Sequence, residues 1–368
     1  MNKKKKPRIR FKGFNDDWEQ RKLSDVIDVC SGMDYKHLSE GNIPVYGTGG
    51  YMLSVNKALS YDKDAIGLGR KGTIDKPYIL KAPFWTVDTL FYCIPKPECS
   101  LAFLYGLFQR VNWKQKDEST GVPSLSKVAI NGTNIMVPST EEQRRIGEYF
   151  SKVDHLITLH QRKCEKLKIV KKSMLENCFP KNGQKVPKIR FSGFTDDWEQ
   201  RKVSEMADRY DTMRIPVTAN RRVPGDTPYY GANGIQDYVK GYTHDGEFVL
   251  VAEDGANDLK NYPIHYVNGK IWVNNHAHVL QAKSTEADNR FLQYAISRAD
   301  IESVLVGGGR AKLNANILMD IDITLPNLPE QKKIGGYFQC LDSLITLHQR
   351  KLEKLQKIKK SMLERMFV

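Results

Sequence analysis

The chain has 368 residues, enough for two or three domains that each bury a core. Its 57 Lys and Arg against 43 acidic residues leave a formal net charge of +14, which points to an anionic partner. No apolar run approaches the roughly 18–20 residues that span a bilayer, so nucleic acid is expected rather than a membrane.

The first residues, MNKKKKPRIR, are basic with no apolar segment behind them, and read as a solvated arm rather than a signal peptide. From Ile9 to Lys22 the chain reads IRFKGFNDDWEQRK, and this returns at Ile189–Lys202 as IRFSGFTDDWEQRK, changed only at Lys12/Ser192 and Asn15/Thr195. Between these copies runs a first insert of short β-branched and aromatic stretches bounded by Gly, Pro and Asn, with one apolar helix near 100–112. Gly67-Leu68-Gly69-Arg70-Lys71-Gly72 has the spacing of a dinucleotide-binding loop, but Pro77 stands where the phosphate-binding helix should begin. Thr73 stands where a P-loop needs Lys, so the segment reads as a glycine turn presenting Arg70, Lys71 and Thr73.

A long helix follows, with Thr140 and Gln143 placed for a capping box and Pro180 and Gly183 as stop signals. Its sequence from Glu142 to Phe179 returns at Glu330–Phe367, where Pro329 suits the first helical turn. Apolar residues recur at heptad spacing, at Phe150, Val153, Ile157, Leu167 and Met174 and again at Phe338, Leu341, Ile345, Leu352, Leu355 and Met362. Basic residues fill most other positions, the pattern of a narrow coiled-coil seam. Each helix has one matching partner in the same chain, so an antiparallel pair is expected, about 50–55 Å long at 1.5 Å per residue. His160 and His348 fall on the seam and read as packed polar residues that fix register. Because the first helix runs into the second IRFSGF segment, the end of the second helix should lie near the first IRFKGF segment.

The second insert retains the order of the first. Ile43–Gly47 matches Thr227–Gly231, Phe84–Val87 matches Ile271–Asn274, and Ser124–Ser126 matches Lys312–Asn314. Aligning Ala65 with Val249 sets Arg70 opposite Asp254, so the loop that is basic in one copy is acidic and amidic in the other. Six cysteines without a CxxC pair read as the reduced thiols of a cytoplasmic protein, and His276 and His278 lack the further ligands a metal would need. The fold class is therefore mixed α/β with long helices, two domains related by pseudo-twofold symmetry and joined by an antiparallel two-helix coiled coil. The expected boundaries are 1–140 and 181–328 for the domains, and 141–180 and 329–368 for the helices.

No nucleophile–base–acid set stands out, and recognition without catalysis is the reading. Arg and Lys suit guanine edges or phosphates, Asn suits adenine, and Glu or Asp accept from cytosine. On loop position and chemistry the candidate DNA contacts are Tyr46, Thr48, Arg70, Lys71, Thr73 and Ser124 in the first domain. In the second they are Arg221, Arg222, Asn233, Asn257, Asn275, Arg310 and Lys312.

The paired IRFxGFxDDWEQRK segments, the Pro-Ser-Leu-Ser and Lys-Leu-Asn stretches that close each insert, and the Glu-Gln helices resemble the specificity subunit of type I restriction–modification systems over essentially the whole chain. That resemblance implies two target recognition domains, each reading half of a split, asymmetric DNA sequence, with the helices as spacer and docking surface. It also implies two methyltransferase partners that carry S-adenosylmethionine and methylate adenine N6. Restriction subunits with ATP and magnesium would join through them, with no cofactor or metal in this chain. A stand-alone DNA-binding regulator or architectural protein is the alternative.

Overall fold

The computed structural model describes residues 6–181, 183–307 and 311–368. Its contacts divide the chain into two units: Met1–Arg162 with Gln349–Val368, and Lys163–His348. Each unit therefore contains a length of both long helices.

In unit 1 the strands are β1 (Glu19–Lys22), β2 (Ile27–Ser31), β3 (Glu40–Gly47), β4 (Gly50–Val55), β5 (Ala65–Gly69), β6 (Tyr78–Leu80), β7 (Trp85–Thr86), β8 (Leu90–Pro95) and β9 (Asn134–Val137). The helices are α1 (Leu101–Arg110), α2 (Lys127–Asn131) and the first part of α3 (Thr140–Asn177). The strands form sheets of order β2-β8-β5-β6 and β4-β3-β7 with a β1-β9 ribbon. All five residues of β5 are buried, which accounts for its unbroken apolar and glycine sequence. Ser100 caps α1 by accepting the Phe103 N–H at 3.4 Å.

Unit 2 contains β10 (Glu199–Lys202), α4 (Val203–Met206), β11 (Ala207–Arg209), β12 (Pro224–Gly231), β13 (Gly234–Val239), β14 (His244–Ala252), β15 (Ile264–Val273), β16 (Ala277–Ala282), α5 (Asn289–Ser297), α6 (Ala315–Asp320), β17 (Asp322–Leu325) and α7 (Leu328–Met366), the last continuing into unit 1. Here one six-stranded sheet, β11-β16-β14-β15-β12-β13, replaces the two larger sheets of unit 1. The longer β14 and β15 join them. The parallel contact of β3 with β7, Val45 opposite Trp85, recurs as Tyr229 opposite Trp272, in the register expected from sequence.

The copied segments build the same joint in each unit. In unit 1 Trp18, Phe103, Phe150 and Phe367 form one aromatic cluster, with Phe367 stacked on Phe103 at 5.3 Å and 24°. In unit 2 Trp198, Phe291, Phe338 and Phe179 do the same, with Phe179 stacked on Phe291 at 5.5 Å and 18°. The Ile9 N–H donates to the Arg365 carbonyl at 3.0 Å, and the Ile189 N–H donates to the Asn177 carbonyl at 2.9 Å. The first of these places the described N-terminal segment against the last helical turn, as the cyclic order of the repeats requires.

The Glu-Gln pair in the first turn of each long helix has two tasks. Glu142 accepts both arms of the Arg10 fork at 2.6 Å, and Glu330 accepts those of Arg190 at 2.8 Å. The carboxylates are almost fully enclosed, and their hydrogen bonds raise the pKa of each guanidinium further. Gln143 accepts the Ser100 N–H and donates to the Pro138 carbonyl, and Gln331 accepts the Asp288 N–H and donates to the Pro326 carbonyl. The expected capping box between Thr140 and Gln143 is therefore not formed. The Gln143 amide is drawn to the start of α1 instead, and the Thr140 hydroxyl donates to the Glu98 carbonyl.

Within each unit the two long helices run antiparallel. Asp154 meets Lys359 and Phe150 meets Phe367 in unit 1, and Lys171 meets Asp342 and Phe179 meets Phe338 in unit 2. The two ion pairs are equivalent in the repeat, both at 2.6 Å, and each lysine also lies over a tyrosine ring, Tyr105 or Tyr294. All eleven seam residues expected from the heptad pattern are buried or half-buried, as are His160 and His348.

Gly147 and Gly335 allow the close approach of each long helix to its short neighbour. A Cβ on Gly147 would lie 2.9 Å from the Phe103 nitrogen, and one on Gly335 would lie 2.8 Å from the Phe291 nitrogen. Gly147→Ala is expected to destabilise the chain by about 1–3 kcal/mol through overpacking, read as a lower urea midpoint at unchanged slope. Arg190→Ala, which leaves Glu330 enclosed and unpaired, should cost on the order of 3 kcal/mol. The double variant Arg190→Met with Glu330→Leu should recover most of that loss in the same unfolding measurement, because an apolar pair removes the stranded charge.

Candidate nucleic-acid interface

Beyond β5 the chain turns at Arg70–Thr73 and is held by main-chain bonds to two other segments. The Arg70 N–H donates to the Thr89 carbonyl at 2.8 Å, the Leu125 N–H to the Arg70 carbonyl at 2.9 Å, and the Gly72 N–H to the Pro123 carbonyl at 2.8 Å. Lys71 bridges Ser124 across the two segments. The turn requires its glycines: a Cβ on Gly69 would lie 2.0 Å from the Thr73 carbonyl oxygen, and Gly72 has φ +92°. Gly67 and Gly69 lie inside a buried strand, so the GxGxxG spacing belongs to sheet packing.

Unit 2 repeats this backbone platform. The Glu253 N–H donates to the His276 carbonyl at 2.9 Å and the Leu313 N–H to the Glu253 carbonyl at 2.7 Å, while Asp254 bridges Lys312. These bonds set Arg70 opposite Glu253 and Lys71 opposite Asp254. The register expected from sequence, Arg70 with Asp254, was one residue out. Strand pairing agrees, since Leu68 faces Phe91 and Val251 faces His278.

The side chains differ completely on this shared frame. In unit 1 a cavity of about 500 Å³ is lined by Arg70, Lys71, Ser124, Ser126, Lys127 and Glu118, above Phe91. The Arg70 guanidinium lies 5.7 Å from the Phe91 ring centroid, and one arm reaches the Asp88 carbonyl at 3.4 Å. Asp117 accepts the Ser124 N–H, the Ser119 hydroxyl and the Ser119 N–H, which hold its carboxyl below the usual range and brace the 117–124 loop. In unit 2 the corresponding place holds a network of opposite charges. Glu253 pairs with Arg214 at 2.7 Å and Lys312 at 3.0 Å, and His278 bonds Asp211 at 2.7 Å and the Leu313 carbonyl at 2.9 Å. His276 bonds Asp254. Burial would raise the Asp211 and Glu253 carboxyls, but bonds from His278 and Val279 to Asp211, and from Arg214 and Lys312 to Glu253, outweigh it and hold both below the normal range.

The candidate contacts named from sequence thus divide. Arg70, Lys71 and Ser124 come together around one cavity, with half-buried Thr73 completing the turn. Tyr46 packs edge-on against Tyr51 and Thr48 sits in the β3–β4 turn, away from the cavity lining. Asn233 donates to the Gly255 carbonyl and accepts the Asn257 N–H, so these two come together with Asn233 bracing the loop. Arg222 lies 4.1 Å over the Tyr229 ring and bonds the Val217 carbonyl, an internal brace, while Arg221, Asn257 and Asn275 are exposed. Lys312 is paired with Glu253, and Arg310 lies outside the described residues. Sequence reasoning missed Phe91, Lys127, Asp211 and Arg214. Asp211 meets His278 from 67 residues away, and no local pattern signals that pairing.

No helix among the described residues is long and apolar enough to cross a membrane. Comparison with known proteins finds the type I restriction modification DNA specificity domain twice, at residues 15–168 and 195–357. A type I restriction enzyme specificity subunit of Methanocaldococcus jannaschii is 25% identical over 335 residues, covering 81% of this chain and 74% of that one. A Haemophilus influenzae chain described as a specificity subunit is 44% identical over 146 residues, 40% of this chain, and the matched part spans only 38% of that relative. The crystal structure of a type I restriction–modification S subunit from M. genitalium has the same fold, with a TM-score of 0.81 at 14% identity and 99% of each chain covered. With both framed halves matched, the chain belongs to the family of type I restriction–modification DNA specificity subunits.

Proposed function

We propose that each unit reads one half of a bipartite, asymmetric target in double-stranded DNA, and that the paired helices hold the two readers apart. The observation that carries this reading is the platform itself: one main-chain frame, built twice, presenting Arg70 and Lys71 in one unit and Glu253 and Asp254 in the other. Two such surfaces offer different chemistry to base edges: a cationic fork seeks acceptors, whereas the second platform is a charge-paired network of Glu253, Asp254, Arg214, Lys312 and His276. The +14 net charge supplies sequence-independent attraction to phosphates.

In this reading the helices also dock two adenine-N6 methyltransferase subunits, and restriction subunits join through those. S-adenosylmethionine belongs to the methyltransferase, ATP and magnesium to the restriction partner, and this chain contributes recognition alone. Support for docking comes from leucines off the seam. Leu156 and Leu159 in unit 1, and their repeats Leu344 and Leu347 in unit 2, are 37–45% exposed on otherwise cationic helices.

Mapping adenine methylation across DNA modified by the co-expressed complex should return one split, asymmetric sequence. A symmetric or unsplit sequence would count against two unlike readers. Inserting about one helical turn in each long helix, roughly 5.4 Å, should lengthen the unspecified spacer by about one or two base pairs. Altered half-sites in that map would refute the helices as a spacer. The Leu156→Glu, Leu344→Glu double variant should keep its melting temperature but lose co-purification with the methyltransferase, and retained co-purification would move the docking surface elsewhere.

A further inference from the structure

We propose that Arg70 is a specificity-determining residue of unit 1 and takes a guanine through the O6 and N7 acceptors of its major-groove edge. The inference rests on the reading that the platforms face DNA, and it adds which base one side chain recognises. Arg70 is anchored through its main chain without being neutralised. Its N–H and C=O are bonded to Thr89 and Leu125 from separate segments, and its guanidinium is steadied by Phe91 and the Asp88 carbonyl. Among the described residues no carboxylate forms an ion pair with it, although Glu118 lines the same cavity.

Other arginines of the chain show the contrast. Arg10 and Arg190 are clasped by enclosed glutamates, Arg214 is matched by Glu253 and Asp211, and Arg222 is stacked on Tyr229 beside Asp237. An exposed guanidinium on an anchored main chain, resting beside Phe91, offers a planar fork to solvent. Two acceptors side by side on guanine fit that fork, and ordering costs less because the side chain is already placed. Lys71 and Lys127, single charges on flexible stems at the same cavity, suit phosphates instead. Unit 2 gives the counterpart: Glu253 stands at the Arg70 position, and the Arg214 guanidinium beside it is taken up by Glu253 and Asp211.

Selection from randomised duplexes with the co-expressed methyltransferase complex tests this, using the wild-type chain, Arg70→Ala and Lys71→Ala. The wild type should select a split sequence containing a guanine that Arg70→Ala no longer requires, with discrimination there reduced about 5- to 150-fold. The other half-site should be unchanged, which also shows that the variant is folded. Lys71→Ala should weaken all duplexes alike and reduce the salt dependence by about one unit. If Arg70→Ala weakens every sequence equally, Arg70 is a phosphate contact and the inference fails while the DNA-reading function stands. An unchanged consensus also overturns it. Selection of no split sequence by the wild type would instead remove the underlying function and the inference with it.

Discussion

The phenylalanine that follows each long helix is the side chain on which the rest of its unit depends. Phe367 lies among Phe103, Trp18 and Phe150, and Phe179 lies among Phe291, Trp198 and Phe338. Each ring joins three parts of the chain: the copied entry segment, the short helix of the insert and the start of a long helix. A helix with so narrow an apolar stripe is marginal in water alone, so its stability must come from these junctions. Edge-on and offset ring pairs add about 0.5–1.5 kcal/mol each beyond burial. For unit 1 the closing ring, Phe367, follows the second long helix, so the core is incomplete until that helix is in place.

Around that junction the charges follow one rule, that enclosure demands a partner. Glu142 and Glu330 are almost wholly removed from solvent and each receives a two-armed arginine. Asp154 and Asp342, less enclosed, receive lysines that also rest on tyrosine rings. The large excess of positive charge is therefore only partly available to a ligand. What distinguishes a binding arginine from a bracing one is its surroundings rather than its type.

The frame was legible in the sequence because it is written twice and obeys a short period. The residues that the heptad pattern placed on the seam are all buried or half-buried, and the cyclic order of the repeats located the contact between Ile9 and the last helical turn. The Glu-Gln pair was visible as a repeat but not as a joint, since its partners Arg10 and Ser100 lie at long range. The loops were harder. Their positions followed from glycine turns, yet the alignment slipped by one residue at Arg70 because strand pairing, not sequence similarity, fixes that register. Nothing local in Asp211, Arg214, Glu253 or His278 announces that they meet. Arg222 looked like a loop cation and is a brace, because Tyr229 and Val217 could not be placed beside it from sequence.

The platform also explains how one backbone can carry opposite chemistries. Its defining bonds run from main chain to main chain, Thr89 to Arg70 to Leu125 and His276 to Glu253 to Leu313, so the fold makes no demand on the side chain between them. The demand comes from burial. Glu253 is only 15% exposed and is matched by Arg214 and Lys312, while His278, 1% exposed, is matched by Asp211. Placing Glu at position 70 alone would set a carboxylate over the Phe91 ring with none of those partners. A carboxylate prefers a ring's positive edge to its negative face, so it would forfeit the contact that Arg70 makes with Phe91. The acidic platform is therefore a block of residues drawn from the end of β14, the 211–214 turn, β16 and the Lys312 segment. The basic platform is nearly self-contained, since a guanidinium can rest on an aromatic face and still offer its edge to solvent.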